Sequence, residues 1–321
     1  MDRRGFVVGI CTLALPLKAN AQPRLYRVGV VFRSGPYTTA VDGLRDGLKS
    51  LRMVEGKQYV LHQRPVTNEL KSIEAAASGL ELEKVDLIFA VGSTIALAAK
   101  RVTRTVPIVF FVGQDPVEFG LVASFSKPGG RLTGVVDQFV SIAPKRMEIL
   151  RTLLPKARRL VTFYDPGNPV SQSAIKQARD ASRQTGLELA ERTVASAEEL
   201  RAALGALKPR EVDVIFIIGD GLTIARTDMI IAAANSKKLP VMTSDDAGVS
   251  MGALASYGLS YYTCGRLAAR YVERILKGAN PGDLSIERVD NPTMVINLKA
   301  AKALGITIPD AVLARADEVI R

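Results

Sequence analysis

Apolar positions in this chain fall into two alternating kinds of segment. Arg27-Val28-Gly29-Val30-Val31-Phe32 is short and rich in β-branched residues, and Ser34-Gly35-Pro36 closes it. A run without polar alternation is the pattern of a strand buried on both faces. Thr39 to Leu51 follows, with Val41, Leu44, Leu48 and Leu51 apolar at helical spacing. Val85–Val91 predicts a second buried strand, leading through Gly92-Ser93-Thr94 into a helix over Ile95–Val102. Pro107–Val112 predicts a third. Buried strands separated by helices imply βαβ units and parallel sheets.

The second half repeats this order. Leu160–Tyr164 predicts a strand that runs through Asp165-Pro166-Gly167-Asn168-Pro169 into a helix ending near Gln184. Val212–Gly219 matches Val85–Gly92 almost residue for residue, and Pro240-Val241-Met242 matches Pro107-Ile108-Val109. The three offsets are 132, 127 and 133 residues. That period is too long for a solenoid and fits two copies of one α/β lobe. The fold class expected is therefore α/β, with two Rossmann-like lobes built on parallel sheets.

Ligands of open α/β sheets sit beyond the carboxyl ends of the strands. Two facing lobes would place two such edges around one cleft. Function is expected in the strand-to-helix loops Ser34–Tyr37, Gly92–Thr94, Gln114–Pro116, Asp165–Asn168, Gly219–Thr223 and Ser244–Asp246. Ser34, Ser93, Thr94 and Thr223 offer hydroxyls beside helix starts, where free N–H groups and the helix dipole favour an anion. Plain helix capping would use the same residue types. Asp115, Asp220 and Asp245 are candidates to receive an ammonium, and Tyr37 and Tyr164 to clamp a side chain. Such a set matches a zwitterion.

Composition removes other classes. Of the 321 residues, one is His and two are Cys. That is too few for a Cys/His zinc site, for a disulfide framework, or for a catalytic triad built on His62. His62 lies in an apparent strand as a surface residue, and Cys264 is expected buried and inert. No phosphate-binding loop of the G-x-x-x-x-G-K-[ST] type occurs, and no G-x-G-x-x-G follows the first strand. No cofactor, no metal and no catalytic residue is expected. Net charge is +11, but the basic residues are dispersed among 32 acidic ones, which argues against a nucleic-acid surface.

The first 21 residues read as an export signal. Arg3-Arg4 precede an apolar stretch of 12 residues, Phe6–Leu17, and Ala19-Asn20-Ala21 fits a cleavage site. The stretch is too short to span a bilayer. Ile10 before Cys11 argues against lipidation. Either the general or the twin-arginine route is compatible, and both lead to the periplasm. A mature chain starting at Gln22 keeps a charge of +9 and one thiol.

Several segments carry a resemblance. They include Asp115-Pro116-Val117 leading to Gly120–Ser124, Lys127-Pro128-Gly129-Gly130 and Ala255-Ser256-Tyr257-Gly258. The tail adds Val295–Ala301 and Ala303–Pro309. From Tyr26 onward the chain resembles the substrate-binding proteins of bacterial ABC transporters, in the group with tryptophan- and tyrosine-type importers. The resemblance implies a type I periplasmic-binding-protein architecture with three interlobe crossovers. It implies lobe 1 over 22–137 plus 257–288 and lobe 2 over 138–256 plus 289–321, with crossovers near Val135–Ser141, Tyr257 and Val289–Thr293. It implies a monomer that carries a small solute, an amino acid or small carboxylate, to a membrane permease and its ATPase. By position, the contact loops are Gly92-Ser93-Thr94, Gln114-Asp115-Pro116, Asn168, Asp220 and Ser244-Asp245. A ligand-sensing protein feeding a signalling partner is an alternative, and so is an α/β hydrolase.

Overall fold

The computed structural model describes residues 24–137, 142–258, 260–289 and 292–321. The export signal, Cys11 and the expected start at Gln22 lie outside them, as do parts of the expected crossover segments. Five strands come first: β1 (Tyr26–Arg33), β2 (Tyr59–Val66), β3 (Leu87–Val91), β4 (Ile108–Val112) and β5 (Leu132–Asp137). β6 (Arg159–Tyr164), β7 (Glu188–Thr193), β8 (Val214–Phe216), β9 (Val241–Thr243) and β10 (Ala255–Gly258) follow. β11 (Glu287–Val289), β12 (Thr293–Asn297) and β13 (Glu318–Ile320) close the chain.

These strands form two sheets, ordered β11-β5-β4-β3-β1-β2 and β13-β12-β10-β9-β8-β6-β7. The chain changes sheet three times: between β5 and β6, between β10 and β11, and between β11 and β12. All pairings in the first sheet are parallel. The second sheet departs from the all-parallel expectation, because β12 runs antiparallel to β10. The reason is connectivity. β10 leaves the second sheet toward the first, and β12 re-enters from that same end, so the two must point in opposite directions.

The apolar periodicity maps onto the core. The helix Thr38–Ser50 buries Val41, Leu44 and Leu48. β3 and β4 are buried along their whole length. Each such Leu, Ile or Phe contributes roughly 1.5–3 kcal/mol. After β10 the helix Tyr261–Leu276 returns to the first lobe and lies against Thr38–Ser50. The approach is close enough that a Cβ on Gly43 would sit 1.9 Å from the Tyr262 carbonyl oxygen, so only glycine fits there. The strand expected over 212–219 is regular only at Val214–Phe216. Just beyond it the Asp220 amide donates to the Ile218 carbonyl at 2.7 Å, which turns the chain out of the sheet.

Candidate functional site

The carboxyl ends of the two sheets face each other and enclose a cavity of about 40 Å³. A buried water needs roughly 10–15 Å³ in this measure, so the closed cavity has room for about three water-sized groups. The first lobe supplies Arg33 from the end of β1, Tyr37, Gly92-Ser93-Thr94 after β3, and Gln114 after β4. The second lobe supplies Val170, Gly219, Gly221 and Ile224. Tyr261, on the helix that returns from the second lobe, completes the wall. It packs 4.9 Å from the Tyr37 ring and 5.5 Å from Phe111, edge-on to the latter. Burial pushes the Tyr37 phenol up to about 12, so it stays protonated and hydrogen-bonded to Tyr261.

Arg33 is the one charged side chain in this lining. It is 2% exposed, and its Nε and Nη2 are buried without a partner among the described residues. A Cβ added to Gly221 would lie 3.0 Å from its Cζ, so glycine at that position lets the opposite lobe close over the guanidinium. The helix Ser93–Val102 begins beside it. Its cap residue Gly92 has φ 109°, a left-handed conformation suited to glycine, and no side chain caps the helix. Ser93 Oγ accepts from the Gly113 amide at 3.2 Å, and Gln114 Oε1 is buried without a partner.

Two hydrogen bonds span the lobes at the mouth of the cleft. Asn168 Nδ2 donates to Thr94 Oγ1 at 3.2 Å, and Asn68 Nδ2 donates to Asp165 Oδ2 at 3.2 Å. The cleft is therefore shut.

Of the residues expected from sequence, Tyr37, Gly92, Ser93, Thr94 and Gln114 meet in the cavity. Asn168 stands at its mouth and caps the helix Pro169–Thr185 through the Val170 amide. Asp220 lies fully buried behind the second wall. Its Oδ2 accepts from the Asp165 amide at 2.9 Å and Ser171 Oγ at 2.6 Å, and its Oδ1 from the Thr223 amide at 2.7 Å. Thr223 is buried with it. Asp245 caps the turn Asp246–Ser250 through the Gly248 amide at 2.8 Å, next to buried Ser244. Asp115 caps its own turn through the amides of Val117 and Glu118, followed by Pro116. Tyr164 points toward the sheet edge and donates to Glu191, and Ser34 is exposed.

Behind the second wall, Arg146 is 2% exposed, stacks 4.3 Å over Phe216 and donates to the Ile217 carbonyl at 2.7 Å. Burial pushes its guanidinium down to about 9 and the Asp245 carboxyl up to about 7. Asp137, at the end of β5, is driven up by burial as well.

Sequence reasoning missed Arg33, Phe111, Tyr261 and the second-lobe glycines. Arg33 had a signal, as a cation closing an otherwise apolar strand at the ligand end of the sheet. Tyr261 had none that is local, since it reaches the cavity only through the chain's return crossing.

Comparison with known proteins agrees with this geometry. The profile described as ABC transporter substrate binding protein matches residues 28–320. The chain belongs to that family. This substrate-binding protein is 29% identical over 265 residues to a tyrosine-binding protein of Clostridioides difficile, covering 83% of this chain and 76% of the relative. It superposes with TM-score 0.82 on a conserved domain protein from Vibrio cholerae, at 30% identity over 92% of this chain and 100% of the other. A domain from Streptococcus pneumoniae in complex with L-Trp gives TM-score 0.82 at 25% identity, with the same coverage. The fold is that of type I periplasmic binding proteins. No helix among the described residues is long and apolar enough to cross a membrane.

Proposed function

We propose that this substrate-binding protein holds a small solute, an amino acid or small carboxylate, between its lobes and hands it to a membrane permease driven by an ATPase. It does so as a periplasmic monomer, exported by the signal over residues 1–21, and it leaves the solute unchanged. The lobes are 22–137 with 257–288, and 138–256 with 289–321. One observation carries this reading. The cavity is walled by both lobes, and side chains from the two lobes meet across its mouth at Thr94–Asn168 and Asn68–Asp165. A solute held this way favours the closed form by its contacts to both walls, and release requires opening. Tyr37, Gly92, Ser93, Thr94 and Gln114 are the first-lobe contacts. The relatives named for tyrosine and L-Trp support an amino-acid-sized occupant.

The test is a thermal-shift screen of amino acids, organic acids and sugars, with hits followed by solution scattering. A hit is expected to raise the melting temperature and reduce the radius of gyration. A solute that binds and is released chemically altered would overturn the reading, as would a hit that binds without compaction.

A further inference from the structure

The proposed cleft carries a more specific message about its solute, and this inference rests on the solute-binding reading above. A buried guanidinium without a counter-ion is costly unless an anion completes it. Arg33 is such a group, with two nitrogens unpaired among the described residues and 2% exposure. A Cβ on Gly92 would lie 3.6 Å from its Nη1, which places the guanidinium at the start of the helix Ser93–Val102. No side chain caps that ten-residue helix, so its first N–H groups point to the same spot. Two independent sources of positive potential therefore converge on one point of the cavity.

The matching feature for a cation is missing from the described lining. An ammonium would need a carboxylate acceptor, and no Asp or Glu lines the cavity. Asp220, just past the second wall, already accepts three hydrogen bonds from its own lobe. The unpaired acceptor at hand is the neutral Gln114 Oε1, which suits a hydroxyl or an amide N–H. We infer that the solute is a compact carboxylate without an ammonium group, its carboxylate held by Arg33 and the uncapped start of the Ser93–Val102 helix, and a neutral polar substituent met by Gln114.

Matched pairs of ligands test this by calorimetry on the full mature chain. Lactate is set against alanine, 3-(4-hydroxyphenyl)propanoate against tyrosine, and ribose serves as a neutral control. The des-amino member of at least one pair is expected to bind at least tenfold tighter than its amino acid. Arg33→Gln should weaken that binding at least tenfold while the melting temperature holds or rises, and Arg33→Lys should restore part of it. A preference for alanine or tyrosine, binding of ribose alone, or full affinity in Arg33→Gln would overturn the inference and leave the cleft reading standing. If no probe binds, the inference falls too, and the cleft reading is then decided by the wider screen with scattering.

Discussion

The two edges of the cleft are built from the same kind of loop and do different work. On the second lobe, three strand-to-helix loops end in a residue that caps its own helix: Asn168 through Val170, Asp220 through Thr223 and Asp245 through Gly248. On the first lobe, the turn Gly35–Tyr37, the helix Thr38–Ser50 and the helix Ser93–Val102 begin without any side-chain cap. The unpaired polar groups of Arg33 and Gln114 lie on that same edge. A short polar residue after a strand is thus a structural plug on one lobe, while on the other the backbone donors are left open. The difference assigns recognition to the first lobe and closure to the second, whose contribution to the cavity is apolar or glycine.

The largest effect expected from this contrast is on stability, at Asp220. Its carboxylate is fully buried and accepts three hydrogen bonds. Bonds to a charged group are worth about 1.5–3 kcal/mol each, and a lost cap about 0.5–2. Asp220→Ala should cost about 3–5 kcal/mol in denaturant unfolding, with solute affinity of the folded fraction nearly unchanged. A stable variant with weakened binding would move Asp220 from plug to contact and erase the contrast.

Asp245 gives the second test, in pH. Its folded-state carboxyl is raised to about 7, chiefly by burial, while in the unfolded chain it titrates near 3.9. The native state holds the extra proton, so this contribution is full below about pH 4 and is lost as pH rises toward 7. The slope is about 1.4 kcal/mol per pH unit within that window. Asp245→Asn keeps an oxygen to accept from Gly248 and removes the titration. Its stability should be nearly flat between pH 4.5 and 7 where the parent declines. Equal slopes in both would show that Asp137, also raised by burial, carries the effect.

How much of this was legible depends on whether the signal was local. The strands at Arg27–Phe32 and Pro107–Val112 shift by one residue or less at each end in the structure, because an unbroken apolar run has no other stable place than a buried sheet. The duplication was legible because both halves solve the same packing problem. The antiparallel β12 was not, since its direction follows from where the chain re-enters the second sheet. Among site residues, Gly92-Ser93-Thr94 was readable as a strand-to-helix loop. The division between Ser93 and Asp220 was not readable, because both are short polar residues beside a helix start. Only the acceptor bonds of Asp220 reveal that its capacity is already filled.

The smallest effect expected, and the one that isolates closure, is at the bond between Thr94 and Asn168. In the closed form Asn168 Nδ2 donates to Thr94 Oγ1 across the mouth. In an open form both groups would face water. The bond therefore stabilises closure alone, by about 1 kcal/mol net. Thr94→Val removes the acceptor while keeping the shape of the side chain. It should raise the solute's dissociation constant about fivefold, because a solute can only recruit the closed form in proportion to its population. The global melting temperature should barely move. Asn168→Ala should lower affinity similarly but also cost about 1 kcal/mol of stability, since Asn168 Oδ1 caps the Pro169–Thr185 helix. The double variant decides the matter. If the bond is the cause, Thr94→Val adds nothing to affinity loss in the Asn168→Ala background, because the partner is already gone. If its effect persists there in full, Thr94 touches the solute directly, and its hydroxyl belongs with the recognition edge of the first lobe.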